Sequence, residues 1–163
     1  MPPVNFTAPS PLAFSESPLH SFTTMKLFSV AVLSFAAAAP AVLADTVQYD
    51  PTYDNGNQSL STVACSDGAN GLMTKGFSTF SSLPSFPNIS ATAAVSGWNS
   101  TQCGSCWQLS YNGKSANVTA VDHADTGFVV SLETMNILTD GQGKFLGSID
   151  AVVEQLDASQ CGF

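Results

Sequence analysis

The sequence predicts a mainly β domain with two or three short helices, built as a closed barrel more than an open sheet. Three observations predict it. Short apolar runs alternate with polar residues and are separated by turn residues. Asn112-Gly113 sits between two such runs and supplies the positive φ angles of a tight hairpin. Strands this short, interrupted by small helices, favour closure over an open sheet with long edges.

The chain is 163 residues long, and its first part reads as a targeting segment. From Met25, Lys26 gives a positive flank and Leu27–Ala39 an almost unbroken apolar run. Pro40 breaks the run, and Ala41-Val42-Leu43-Ala44 ends it on small residues before Asp45. This is the layout of a cleavable export signal over 25–44, and the run is shorter than the ~20 residues that span a bilayer. Residues 1–24 are rich in Pro, Ser and Thr without periodicity, which predicts a disordered extension or sequence ahead of a start at Met25. Residues 45–163 are left as the folded domain, enough chain for one core.

Within that domain, Leu60–Cys65 alternates as a short strand. Leu72–Phe80 reads as a helical stretch weakened by Gly76. Trp107–Tyr111 and Ala116–Val121 are the two arms of the Asn-Gly hairpin. Phe128–Leu132 is a further apolar strand. Glu133–Leu138 is a second helix that stops before Asp140-Gly141. Ile149–Glu154 alternates as the last strand. Phe77, Phe80 and Phe86 flank Leu83-Pro-Ser-Phe-Pro, a stretch read as packing across one barrel end.

Charge excludes some partners. Twelve acidic residues face four basic ones, all lysine, for a formal net charge of −8. Such a surface repels phosphate, so no nucleic-acid partner is expected. It equally disfavours docking on anionic lipid, and no stable membrane insertion is expected. Few charges among many Ser, Thr, Asn and Gln suit a neutral polar ligand such as carbohydrate.

Cys65, Cys103, Cys106 and Cys161 all follow the leader, and exported thiols are expected to pair. Four cysteines allow three connectivities. Cys103-Gly-Ser-Cys106 also fits a redox dithiol or half a zinc site, but the strand–helix context of the first and the free thiolates of the second are missing. Two structural bridges are expected, each stabilising by roughly 3–4 kcal/mol, with no metal and no cofactor.

Four segments look like more than packing: Tyr49-Asp-Pro-Thr-Tyr-Asp54, Cys65-Ser-Asp-Gly-Ala-Asn-Gly-Leu72, Gly97-Trp-Asn-Ser-Thr-Gln-Cys-Gly-Ser-Cys-Trp107 and Val121-Asp-His-Ala-Asp-Thr-Gly-Phe128. In this order, with four matching cysteines and a closing Gln-Cys-Gly-Phe, they resemble the cerato-platanin family of fungal secreted proteins. The resemblance runs the length of 45–163. It implies a six-stranded double-ψ β-barrel, similar to the first domain of expansins, with bridges Cys65–Cys103 and Cys106–Cys161. It implies a secreted or fungal cell-wall location. It further implies a non-catalytic role: binding chitin or other wall oligosaccharides, loosening polysaccharide without hydrolysis, and being sensed by plant surface receptors as an elicitor.

The resemblance places Asp122 in a binding groove, accepting hydrogen bonds from sugar hydroxyls or N-acetyl N–H groups, with a structural loop cap as the competing role. His123, Asp67, Gly68, Asn70, Gly71 and Asn99 complete the candidate carbohydrate site. Asp67 and Asn70 also suit a turn held by side-chain caps, and Gly68 and Gly71 suit positive φ and close backbone approach. Trp98 and Trp107 are read as shielding the bridges. Val129 stands where relatives often carry Asn, which removes an amide beside the groove.

Two other functions compete. A glycoside hydrolase needs two carboxylates spaced across a sugar; Asp122 is one candidate, Asp125 is only three residues on, and Asp67 is the other. A surface-active wall protein would need a larger exposed apolar face. Asn57-Gln-Ser, Asn88-Ile-Ser, Asn99-Ser-Thr and Asn117-Val-Thr fit the N-glycan acceptor pattern. Asn117 is expected to lie in a strand and to stay bare.

Overall fold

The computed structural model describes residues 44–163. Both the expected leader and the stretch before it lie outside the described residues, except Ala44, which opens the first strand.

Six strands close into a barrel: β1 (Ala44–Tyr49), β2 (Ile89–Thr92), β3 (Cys106–Tyr111), β4 (Lys114–His123), β5 (Phe128–Val130) and β6 (Ser148–Leu156). Their order around the barrel is β1-β5-β2-β4-β3-β6. Two neighbouring pairs, β1 with β5 and β2 with β4, run parallel; the others are antiparallel. This is the double-ψ barrel that the resemblance implies. Closure leaves the barrel without an open sheet edge among the described residues. Two α-helices, α1 (Leu132–Thr139) and α2 (Gly143–Leu146), and four 3-10 turns complete the described residues.

The hairpin forms as its turn chemistry requires. Asn112 and Gly113 have φ of 46° and 78°, and Tyr111 pairs with Lys114 across them. Helix α1 starts where Ser131 accepts the Thr134 N–H at 3.0 Å and ends at left-handed Asp140, φ 56°. The Asp54 carboxylate reaches over to accept the Leu132 and Glu133 N–H groups at 2.8 and 3.0 Å, tying the helix start to the 51–54 turn.

Some expected elements fold differently. Leu60–Thr62 is a 3-10 turn instead of a strand, because the Ser59 hydroxyl accepts the Ser61 N–H and nucleates a turn. Leu72–Phe80 forms successive turns instead of a helix; Gly76 sits at φ 97°, and the Ser82 hydroxyl accepts the Ser78 and Thr79 N–H groups. Strands β1 and β2 are additional to the expected set. The phenylalanine-rich stretch does pack: Phe80 is fully buried, Leu83 nearly so, and Phe77 and Phe86 lie against the same cluster.

The core has two parts. One fills the barrel with Val47, Leu109, Val118, Phe128, Val130 and Ile149, closed by Met135 and Leu138 of α1. The other lies under the 51–83 loops around Tyr53, Leu60, Leu72 and Phe80. Trp107 packs against both, its ring edge-on to Phe128 at 5.6 Å. The cysteines pair 65 with 103 and 106 with 161, leaving no free thiol among the described residues. That removes Cys103 and Cys106 from any redox or zinc role as a pair.

Candidate functional site

The last residues of β4, Asp122 and His123, lie beside β2, where Ala91 and Thr92 are their parallel partners. Asp122 is already engaged. Its Oδ1 accepts the backbone N–H groups of Ala64 and His123, each at 2.8 Å. Its Oδ2 accepts the Tyr53 hydroxyl at 3.3 Å. Tyr53 is buried and stacked on Phe80, centroids 5.8 Å apart. Burial pushes the Tyr53 phenol well above its usual range, and the neighbouring Asp122 and Asp50 charges add to this. Tyr53 therefore stays a donor. Asp122 clamps the 51–54 and 60–64 segments to the barrel.

His123 is half-exposed and presents Nδ1 to the Val95 carbonyl. A carbonyl only accepts, so Nδ1 carries the proton and Nε2 is the free face. Asp125, fully exposed, lies 3.6 Å from Nε2.

Two adjoining depressions of about 380 and 270 Å³ share Asp50 and Tyr53. The first has polar walls from Thr46, Gln48, Asp50, His123, Asp125 and Thr126, over a floor of Ala91, Ala124, Phe128 and Val129. The second runs past Gln58, Thr62, Val63 and Asp122. No lysine lines either. The β4–β5 loop can close on β1 only because residue 127 is glycine: a Cβ there would stand 2.1 Å from the Thr46 carbonyl oxygen. Val129 does lie on the groove floor.

The other expected site residues form a second cluster. Asn70 donates its backbone N–H to the Asn99 Oδ1 and its Nδ2 to the Asn99 carbonyl, both at 2.9 Å. Gly68 adopts φ 85°, and a Cβ on it would meet Asn99 Oδ1 at 2.7 Å. A Cβ on Gly71 would meet the Asp67 carbonyl oxygen at 2.3 Å. Asp67 accepts the Trp98 indole N–H at 2.7 Å and the Ser66 hydroxyl at 3.3 Å. The Trp98 N–H is the main cause that holds the Asp67 carboxyl below its usual range, with Ser66 assisting. None of Asp67, Gly68, Asn70, Gly71 and Asn99 lines the groove at Asp122. The link between the two clusters is the Val95–Ser100 loop, held at one end by His123 and carrying Trp98 and Asn99.

Trp98 departs from the bridge-shielding expectation. It is 65% exposed, its ring fixed by the bond to Asp67. Trp107 is half-buried, as expected. Sequence reasoning left Asp50, Tyr53, Gln48 and Gln58 out of the site, although Tyr49–Asp54 stood out as an aromatic–acid segment. A larger depression, about 670 Å³ beside Phe86, Asn88, Gln108 and Asn117, is lined by none of the expected carbohydrate-site residues. It is broad and open, and its amides are partly spent on each other and on the Gln160 carbonyl, so the smaller groove is the better site. Among the described residues no three His, Cys, Asp or Glu side chains are placed to hold a metal ion, and no helix is long and apolar enough to cross a membrane.

Comparison with known proteins places this geometry. The family model described as Cerato-platanin matches residues 45–163. The chain is 41% identical over 148 residues to Allergen Asp f 15 of Aspergillus fumigatus, covering 86% of this chain and 96% of that one. The crystal structure of cerato-platanin 3 from M. perniciosa matches with a TM-score of 0.72 and 47% identity, over 74% of this chain and all of the other. The solution structure of the fungal elicitor Cerato-Platanin matches with a TM-score of 0.63 and 33% identity, over 71% and 95%.

Proposed function

This chain belongs to the cerato-platanin family, and from that premise we propose that it is an exported fungal protein that binds N-acetylglucosamine oligomers of the wall without cleaving them. The observation that carries the reading is the open, lysine-free groove between Gln48, Asp50, Tyr53 and His123, whose carboxylates act as hydrogen-bond acceptors. Its walls offer amide, hydroxyl, carboxylate and imidazole groups to sugar hydroxyls and N-acetyl N–H groups. Its floor of Ala91, Ala124 and Val129 is shallow enough for a pyranose ring. Asp122 serves mainly by holding Tyr53 and the 60–64 segment in place, while Gln48, Asp50 and the free Nε2 of His123 face the ligand. Asp67 holds the exposed Trp98 ring as an aromatic face for a further sugar, on the loop that the Asn70–Asn99 pair pins.

The arrangement favours binding over hydrolysis. An acid catalyst must hold a free proton against the glycosidic oxygen. Asp122 instead spends both oxygens as acceptors from protein donors. One relative is a fungal elicitor and another an allergen. Recognition by host surface receptors, and loosening of wall polysaccharide, belong to the same proposal.

The test is an NMR titration of residues 45–163, the stretch the family model spans, with chitin oligomers. Shifts clustering at Gln48, Tyr53, His123 and Thr126 support the reading. Absence of shifts at millimolar sugar sinks it, and release of reducing sugar by the pure protein would move the function to hydrolysis.

A further inference from the structure

Of the four N-glycan acceptor patterns within residues 45–163, we propose that Asn57-Gln58-Ser59 is the one that carries a glycan. The inference rests on the export signal and on what each asparagine does in the fold.

Three of the four carboxamides are built into native contacts. Asn88 Oδ1 accepts the Thr134 hydroxyl at 2.9 Å, and the Ser90 of its pattern is fully buried in β2. Asn99 is held at φ 59°, its Oδ1 accepting the Asn70 N–H and pressed against Gly68. Asn117 lies within β4; its Oδ1 accepts from Gln108 Nε2, its Nδ2 donates to the Gln160 carbonyl, and its Thr119 is fully buried. A glycan on Nδ2 of any of these adds bulk to a carboxamide that is already fixed against a strand or a loop.

Asn57 differs in each respect. It is exposed, at the turn between the 51–54 segment and Ser59. Its backbone N–H donates to the Asn55 Oδ1, which shapes the turn, while its own carboxamide makes no hydrogen bond among the described residues. The hydroxyl residue of its pattern, Ser59, is only partly buried. The co-reactant is a lipid pyrophosphate-linked oligosaccharide. Asn57 Nδ2 bonds to the anomeric carbon of its first sugar, the bond from that carbon to pyrophosphate oxygen breaks, and Nδ2 loses one proton.

The test is expression of the full chain with its own leader in a fungal secretory host, followed by intact mass and glycopeptide mapping. The expected result is one glycan, at Asn57, lost in Asn57→Gln and in Ser59→Ala and retained in Ser59→Thr. An unmodified chain, whether in the medium or in the cell, overturns the inference, and so does occupancy at Asn88, Asn99 or Asn117. Mapping reads occupancy whether or not the groove binds sugar, so the two proposals fail separately.

Discussion

Replacing Asp122 by alanine tests whether this carboxylate is an anchor or chiefly a ligand group. The substitution removes the acceptor for the Ala64 and His123 N–H groups at 2.8 Å and for the Tyr53 hydroxyl at 3.3 Å. The His123 bond is local and its loss is cheap, because that N–H belongs to the next residue and can be reached by water. The Ala64 and Tyr53 donors come from segments far away in sequence and are partly shielded. Hydrogen bonds to a charged acceptor contribute about 1.5–3 kcal/mol each, and the longer Tyr53 bond sits at the low end. The expected loss is therefore about 3–4.5 kcal/mol. A domain of this size loses roughly 4 °C per kcal/mol, so the melting temperature should fall by roughly 12–18 °C. Asp122→Asn keeps one carbonyl acceptor for the Ala64 N–H and should recover about half of the loss. Thermal and urea denaturation of the three proteins read these differences directly. An alanine variant that melts within about 2 °C of the parent, yet no longer binds chitin oligomers, would refute the anchoring argument.

Other expectations follow from the same geometry. Because the Tyr53 phenol is raised, the folded chain stays protonated where the unfolded chain ionises; its contribution is complete below about pH 10 and is lost as pH climbs further. Urea midpoints across that range should fall less steeply in Tyr53→Phe. Asp67 has the opposite sign: its depressed carboxyl contributes above the usual aspartate value of about 3.9 and the contribution fades as pH drops through the folded value. The Asp67 carboxyl carbon, followed by NMR, should titrate closer to the usual range in Trp98→Phe; an unchanged midpoint would mean the indole bond is absent in solution. Asp54→Ala frees the Leu132 and Glu133 N–H groups at the start of α1 and should cost about 1–2 kcal/mol by thermal denaturation. Replacing the Cys65–Cys103 pair by alanines opens a loop closed over 38 residues and should cost about 4 kcal/mol in the chain-entropy model.

Elements with local punctuation were legible in the sequence. Asn112-Gly113 marks the β3–β4 hairpin, and Asp140-Gly141 marks the end of α1. Strand β1 escaped because only Val47 in it is buried, so it has no apolar alternation to detect. Strand β2 escaped for the reverse reason: Ile89, Ser90, Ala91 and Thr92 are all buried, covered on both faces, and two of them are polar. Leu60–Cys65 alternates in sequence, yet the Ser59 cap and its neighbours make a turn of it. Phe145, which attracted no attention in the sequence, is 86% exposed on α2.

The sequence by itself determined a small, disulfide-held β domain, and its four ordered segments determined the family. Periodicity, turn residues and cysteines carry that much because they act over a few positions or mark a covalent link. The tertiary structure alone decided what Asp122 and Trp98 do. Asp122 meets donors 58 and 69 residues away, and Trp98 meets its acceptor 31 residues away. No local pattern encodes those partners. They are brought together only when the 51–64 and 95–100 segments close over one end of the barrel, which turns an expected ligand group into an anchor and leaves an expected core tryptophan facing water.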